Sequence, residues 1–276
     1  MRESYDIIKD AYSNKYALGA FNIFDVESMR AVIEAAGGLK KNIFIQITEK
    51  TLEYIGFDEI VAVIEIIRKK TNQKFLVHLD HGKDIDIIKK AMLSGFDSVM
   101  FDGSQIGLDK NILISREIRK IARRKNILFE GEVGKIGSDD IKLRRDLPFK
   151  TNPPDAVQYC EQVKPDMAAV AFGNIHGSVN SKEILDFSLL AKISGLIKTP
   201  LVIHGCSNRN DREYKTMISI GAVKINIDTE LREAFAREAK RVIARHIVDP
   251  RIIIGQGCEM ISRKVRDKIK LFSLYS

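Results

Sequence analysis

The chain has 276 residues, 45% hydrophobic and 30% charged with 18 Gly and 6 Pro, a globular composition that excludes collagenous and low-complexity classes. No uninterrupted apolar run approaches the roughly 20 residues a membrane span requires, and three cysteines, Cys160, Cys206 and Cys258, odd in number and never in a CxxC, argue against a disulfide framework and fit a reducing compartment. The net charge of +8 arises from runs such as "RKK" at 68–70, "RKIARRK" at 119–125 and "KLRRD" at 142–146; these read mostly as solvated helix faces, which would also favour anionic small molecules. No zinc-finger spacing, RNP-like aromatic motif or glycine-rich phosphate loop accompanies them, so neither nucleic acid nor membrane is an expected partner.

The opening run "MRESYDIIKDAYSNKYALGA" is charged and broken by polar residues, which fits neither a signal peptide nor a targeting helix, and a cytoplasmic enzyme is expected. Strand-length β-rich runs then follow at 17–22, 43–47, 75–79, 98–101, 127–133, 167–172, 200–203 and 223–227, eight in all. Between them apolar residues recur at helical spacing over 26–36, 58–70, 84–94, 110–125, 154–163, 182–193, 210–220 and 229–247. Asp58 ahead of "EIVAVIEIIRKK" and Asn152 ahead of "PPDAVQYCEQV" read as helix starts, the prolines fitting a first turn whose N–H groups are unpaired anyway.

Strand alternating with helix implies α/β architecture with a parallel sheet, and eight such units close a (β/α)8 TIM barrel. An open doubly wound sheet is the alternative, but no GxGxxG follows the first strand. One long connection runs from Gly134 to Lys150, and connections of that length are usually functional or mobile. The chain is expected to form one catalytic domain over 1–276, with a C-terminal helical extension after Pro250.

In such a barrel chemistry sits on loops leaving the C-terminal ends of the strands. Those ends carry Asn22, Gln46 and Thr48, Asp80 and His81, Asp102 and Ser104, Glu130 and Glu132, Asn174 and His176, His204 with Gly205 and Ser207, and Asn226 with Asp228 and Thr229. Three of the five histidines, His81, His176 and His204, therefore stand at one rim. Each alone reads as a hydrogen-bonded loop residue; together they match three protein ligands with a fourth position open, the pattern of a catalytic zinc. His78 falls inside its strand and reads as buried or as a partner of a ligand, and His246 as surface.

Asp80 and His81 are adjacent, so a continuing strand would aim them at opposite faces. They share a site only if the chain leaves the sheet there, which Gly82 permits. Asp80 can then move protons beside the metal, or it can orient an imidazole or cap a helix. The loops after the last two strands, "HGCSN" and "NIDTE", offer a phosphate site at the start of a helix.

Along nearly its whole length the chain resembles the class II, zinc-dependent ketose-bisphosphate aldolases, the family of fructose-1,6-bisphosphate and tagatose-1,6-bisphosphate aldolases. The matching stretches are "GAFNIFDVESMRAVIEAA", "HLDHGKD", "SVMFDGS", "EGEVGKIG", "FGNIHG", "IHGCSN", "GAVKINIDTELR" and "DPR". The resemblance implies Zn2+ held by His81, His176 and His204, with Asp80 as acid and base on the C4 oxygen. It implies that Gly177, Gly205, Ser207, Asn226, Asp228 and Thr229 hold the dihydroxyacetone-phosphate half, and Asn22 joins them as a substrate-binding residue.

Asp102 and Glu132 match positions that the family uses around an alternative or buried metal position. Arg251 matches an arginine that reaches the distal phosphate from a neighbouring subunit, implying a homodimer or homotetramer. In the run "GSDD", Asp140 stands where family members place a glutamate that exchanges a proton of dihydroxyacetone phosphate, with a side chain one methylene shorter. Cys206 and Asn208 replace small residues of the usual "HGGSG", and Asn180, with Lys182 two further on, stands where many fructose-bisphosphate members have lysine.

The expected reaction is reversible cleavage of a ketose 1,6-bisphosphate, fructose 1,6-bisphosphate first, to dihydroxyacetone phosphate and glyceraldehyde 3-phosphate. Tagatose 1,6-bisphosphate, a non-catalytic zinc- and sugar-phosphate-binding relative, and a basic nucleic-acid-binding protein are the alternatives. A monovalent-cation requirement is left open.

Overall fold

The computed structural model of the chain describes residues 3–138, 150–177 and 185–273. Its first half runs α1 (Glu3–Asn14), β1 (Leu18–Asn22), α2 (Val26–Gly37), β2 (Phe44–Thr48), α3 (Glu49–Ile55), α4 (Phe57–Lys70), β3 (Leu76–Gly82), α5 (Ile85–Leu93), β4 (Ser98–Phe101), α6 (Leu108–Arg124) and β5 (Leu128–Val133). Then come β6 (Gly137–Ser138), α7 (Pro153–Val163), β7 (Met167–Val170), β8 (Ile175–His176), α8 (Phe187–Leu196), β9 (Leu201–Ile203), α9 (Asp211–Ile220), β10 (Ala222–Ile227), α10 (Thr229–Ile243) and α11 (Pro250–Phe272). Eight of the strands close a barrel in the order β1, β10, β9, β7, β5, β4, β3, β2, every pair parallel. This is the TIM barrel that the alternation implies, and the open sheet is set aside.

Side chains at every second strand position face the barrel interior, and along each strand they change from apolar to polar toward the C-terminal end. β3 reads Leu76, His78, Asp80; β5 reads Leu128, Glu130, Glu132; β1 reads Leu18, Ala20, Asn22. The apolar ends, with Phe44, Met100, Met167 and Val202, form an inner core closed from below by Ile8 and Ala11 of α1. The alternate positions, Phe21, Ile45, Val77, Leu79, Val99 and Phe129, face outward into the larger core beneath the helices. One end of the cylinder is thus sealed with hydrocarbon, and polar groups collect at the other.

The helix boundaries depart from the sequence expectations in four places. Residues 3–14, read only as a non-targeting segment, form the plug α1, tied down by Tyr5 Oη donating to the Ile127 carbonyl at 3.0 Å. The short helix α3 was not foreseen; Thr48 caps it, its Oγ1 accepting from Thr51 N at 3.2 Å. Asp58 lies inside the first turn of α4, whose cap is Gly56, because Gly56 takes a left-handed φ of +98° that ends α3 and starts α4 in one residue. The helix expected from 182 begins at Phe187, where Asp186 caps it by accepting from Leu189 N at 2.9 Å. Pro153 follows Asn152 at the start of α7 as expected, and the C-terminal helix α11 packs on α2 and α10.

Candidate active site

Three imidazoles converge at the polar rim. The ring of His81 lies 4.9 Å from that of His176 and 4.7 Å from that of His204, and His176 and His204 are 5.9 Å apart, with interplanar angles of 74°, 82° and 83°. One nitrogen from each lies within 4.8 Å of the other two. His176 Nε2 is buried and has no hydrogen-bond partner among the described residues, a cost in an apolar setting that a bound cation removes. The donor set suits a borderline-soft divalent ion such as Zn2+.

The backbone explains how they meet. His81 itself takes a left-handed φ of +50°, and the pairing of β3 with β4 slips between Leu79 and Gly82. The chain therefore leaves regular pleating at His81, the departure that a shared site requires, and this turns Asp80 and His81 toward one site. Gly82 is needed for space: a Cβ there would lie 2.7 Å from the Met100 carbonyl oxygen. His176 comes from β8, which pairs with β6 so that Ser138 faces His176 in register. Gly205, φ +59°, lets the chain after β9 lie against β8, since a Cβ there would stand 2.7 Å from the Ile175 carbonyl carbon.

In His81 and His204 the ring nitrogen turned away from the centre is held by a carboxylate. His81 Nδ1 lies 3.1 Å from Asp102 Oδ2 and 3.7 Å from Glu132 Oε2, and His204 Nε2 lies 2.8 Å from Glu130 Oε1. Asp102 also accepts from Ser104 Oγ at 2.6 Å and Ser104 N at 3.1 Å. Such partners fix ring orientation and tautomer in histidine metal sites. His81, Asp102 and Glu132 also form a second convergent group, and Glu132 Oε2 is buried with no hydrogen-bond partner among the described residues.

Asp80 is buried beside the cluster, its Oδ2 accepting from Asn22 Nδ2 at 2.8 Å and its Oδ1 from Asn226 Nδ2 at 3.3 Å. Gln46 Nε2 donates to Asn22 Oδ1 at 2.9 Å and sets that amide's orientation. Burial works to raise the Asp80 pKa, but the charges of His81, His204 and Lys224 and the Asn22 hydrogen bond outweigh it, leaving the carboxyl below its ordinary value. For His81 burial is likewise outweighed, by Asp80, Asp102 and Glu132, and its pKa rises to about 9. Burial, then the charge of His81, lowers His176 to about 4 and holds His204 well below the ordinary imidazole. Burial and the neighbouring Asp102 raise Glu132 to about 8.

A cavity of about 110 Å³ touches Asn22, Asp80, His81, His176, Gly177, Gly205, Ser207, Asn226, Asp228 and Thr229 together. Both carboxylate oxygens of Asp228 are engaged by Arg232, at 2.9 and 2.7 Å, so Asp228 gives α10 no side-chain cap. α10 therefore starts at the cavity, with Thr229 in its lining and no capping side chain, an arrangement suited to an anion. Asn208 adopts φ +59°, a conformation that Gly takes freely and Asn tolerates, which explains how it replaces the usual glycine. Cys206 packs in the core, and Tyr214 Oη donates to its carbonyl at 2.7 Å.

Arg251 is not part of this cluster. It starts α11 with its side chain 89% exposed, bound to Asp249 in a groove between α2 and α11. Asp140, Asn180 and Lys182 lie outside the described residues. Two site groups were missed from sequence, Lys224 below the rim and Arg232 beside Asp228; Glu130 and Asn174, read there only as strand-end polar residues, and His78, read as buried or a partner of a ligand, join them, Asn174 Nδ2 donating to the His204 carbonyl at 2.9 Å. Lys224 could have been found by stepping back two residues from a rim position, since it precedes Asn226 at the spacing by which His78 precedes Asp80 and Glu130 precedes Glu132.

A parallel eightfold barrel with three converging histidines and a buried carboxylate at its C-terminal rim defines a metal-site enzyme of the TIM-barrel class. The family model described as fructose-bisphosphate aldolase class-II matches residues 2–275, and the chain belongs to that family. It is therefore a class II aldolase, a carbon–carbon lyase of a family that is generally zinc-dependent and acts on sugar phosphates. It is 33% identical over 270 residues to a sulfofructosephosphate aldolase of Alkalicoccus urumqiensis, covering 96% of this chain and 94% of that one. The crystal structure of the YdjI aldolase from Escherichia coli K12 superposes with a TM-score of 0.86 at 28% identity, covering 98% of this chain and 96% of that one. The fold is shared with a fructose-bisphosphate aldolase from Campylobacter jejuni, TM-score 0.83 at 20% identity, covering 98% and 94% of the two chains. Among the described residues no helix is long and apolar enough to cross a membrane.

Proposed function

We propose that the chain reversibly cleaves fructose 1,6-bisphosphate to dihydroxyacetone phosphate and glyceraldehyde 3-phosphate, with His81, His176 and His204 as the zinc ligands. The observation that carries this reading is the position of Asp80, buried next to three convergent imidazoles and oriented by two amides. Zinc, when bound, supplies Lewis-acid polarisation of the substrate carbonyl, worth several kcal/mol.

The chain's own groups do the rest. Asp80, ionised and held at both oxygens, takes the C4 hydroxyl proton as the C3–C4 bond breaks, and the bond's electron pair passes toward the C2 carbonyl. Asn22 and Asn226 keep the carboxylate aimed, which converts proton transfer into an oriented step. The first amides of α10, with Gly177, Gly205, Ser207 and Thr229, receive the C1 phosphate. Asp140 serves as the acid and base that exchanges the proton at C3 of dihydroxyacetone phosphate. The remaining carbons extend into an adjoining cavity of about 410 Å³ lined by Lys50, Lys83 and Arg232 and by Glu49 and Asp228; Asp228 engages Arg232, which leaves Lys50 and Lys83 to attract an anionic far end. Arg251 of a neighbouring copy adds to that end in a homodimer or homotetramer.

A second reading, cleavage of a sulfofructose phosphate, is favoured by the 33% identical relative of that name. A sulfonate and a phosphate both suit the cationic annex. Fructose 1,6-bisphosphate, tagatose 1,6-bisphosphate and sulfofructose 1-phosphate, assayed side by side with release of dihydroxyacetone phosphate coupled to NADH oxidation, decide the matter. Turnover of the fructose bisphosphate at the highest kcat/KM supports the proposal, and preference for the sulfonate replaces it with the second reading.

A further inference from the structure

Below the imidazole cluster, inside the barrel, lies an ion pair with no part in the steps above. Lys224 of β10 and Glu130 of β5 are both fully buried, with Nζ 2.8 Å from Oε2. The other carboxylate oxygen, Oε1, lies 2.8 Å from His204 Nε2. A second imidazole competes for the same group: His78 Nε2 is 3.7 Å from Glu130 Oε2 and has no hydrogen-bond partner among the described residues, while its Nδ1 is bound to Ser98 Oγ at 2.8 Å. Glu130 thus stands between two histidines, and the ammonium of Lys224 occupies the oxygen that faces His78.

Fold stability alone does not call for this lysine, because a buried ion pair replaced by apolar groups of similar volume is often neutral or more stable. Position gives it a purpose. We infer that Lys224 is a positioning residue for the metal: it pins Glu130 Oε2, so that Oε1 accepts from His204 Nε2–H and the His204 Nδ1 lone pair, which Asn226 Nδ2 also approaches at 3.2 Å, is left facing His81. Without Lys224 the carboxylate can close on the unpartnered His78 nitrogen, and His204 loses the carboxylate contact that holds the proton on Nε2. The inference rests on His204 being a ligand.

The test is metal binding rather than turnover. Metal-free protein is titrated with Co2+ and followed by the visible absorption of the bound ion, with circular dichroism as the check on folding. Lys224→Met is expected to weaken Co2+ binding by about 10–100-fold and to alter the band shape, the range for losing a partner of a metal-ligating histidine. Lys224→Arg should restore both. Glu130→Gln should weaken binding on its own, and adding Lys224→Met to it should cost little more, because the lysine acts through Glu130.

Wild-type affinity and spectrum in a folded Lys224→Met protein would overturn the inference, as would equal losses with and without Glu130→Gln. Should Lys224→Met not fold, Glu130→Gln decides alone: wild-type Co2+ binding in that variant ends the proposal. A wild-type chain that binds Co2+ yet cleaves none of the three sugars defeats the proposed substrate and leaves this inference standing. One that binds no Co2+ defeats both.

Discussion

His81 Nε2 and His204 Nδ1 stand 2.9 Å apart, although 123 positions separate them in the chain. Their opposite nitrogens are each held by a carboxylate, Asp102 for one and Glu130 for the other. Two rings so fixed from behind, with His176 across from both, make a preformed three-nitrogen site whose closure depends on all three. Replacing His176 with Ala is therefore expected to lower the tightly bound metal from about one per chain to a small fraction, measured by elemental analysis after gel filtration, without loss of fold. The basis is that catalytic zinc sites hold their metal through three protein ligands. Full metal retention in this variant would show that the buried nitrogen of His176 faces something else.

Asp80 is predicted to separate chemistry from metal binding. Its two oxygens accept from Asn22 and Asn226, and an Asp80→Asn side chain keeps the volume while losing the base. Metal content should remain near wild type while kcat falls by about 10²–10⁴-fold, the usual worth of a positioned general base. Steady-state kinetics on metal-replete protein checks this, and a loss confined to KM would assign Asp80 to binding instead.

Chelation supplies a third expectation. A mechanism that uses the metal as its electron sink has no use for a Schiff base, so a strong chelator should abolish activity and Zn2+ or Co2+ should restore it. Borohydride added with substrate should leave the mass of the protein unchanged. A covalent adduct on any lysine would place the chain in a different mechanistic class.

The barrel and its rim were legible in the sequence because a period of two and a period of 3.6 leave different marks, and because polar residues ended nearly every apolar strand run. The three histidines and Asp80 stood out for that reason. A departure from the sheet at Asp80 and His81 was legible as a condition for their sharing a site, but its form was not: nothing in "LDHGKD" distinguishes a histidine at φ +50° from one in an extended strand. The pairing of Glu130 with Lys224 was hidden by a different cause. Their contact spans 94 positions, so only the closed register of the barrel brings opposite charges from distant strands together. The plug α1 escaped because its apolar positions are few, and what it covers is visible only once the inner core is assembled.

The pH dependence of the metal-free protein follows from two groups that act together. His81 has its pKa raised from 6.5 to about 9, so the folded state holds a proton that the unfolded chain releases. This stabilisation is complete below pH 6.5 and is lost as pH rises through about 9. Glu132, raised from 4.5 to about 8, is a carboxyl that burial penalises once ionised, so its contribution also falls as pH climbs through that interval. His176, lowered from 6.5 to about 4, acts in the opposite sense and withdraws stability only below pH 6.5. The melting temperature of metal-free protein should therefore fall between pH 6.5 and 8. Excess Zn2+ should flatten the decline, because the ion takes the place of the bound protons. A metal-free melting temperature that rises across this window would contradict the electrostatics of the cluster.

Gly82 tests whether the geometry at the end of β3 is set by space rather than by backbone freedom. A Cβ at this position would meet the Met100 carbonyl oxygen at 2.7 Å and Ile88 Cγ1 at 2.8 Å, one of them backbone and unable to yield without moving β4. Gly82→Ala should therefore cost about 1–3 kcal/mol, the range for overpacking a dense core. Because Asp102 follows β4 and holds His81, metal affinity should fall with it. Gly195 in α8 is the matched control: a Cβ there meets nothing within 4 Å, so Gly195→Ala should leave metal binding unchanged and add up to about 1 kcal/mol through helix propensity. Urea denaturation of both variants, read alongside Co2+ titration, distinguishes the cases; a Gly82→Ala protein as stable as wild type would mean that β3 and β4 do not approach as closely as described.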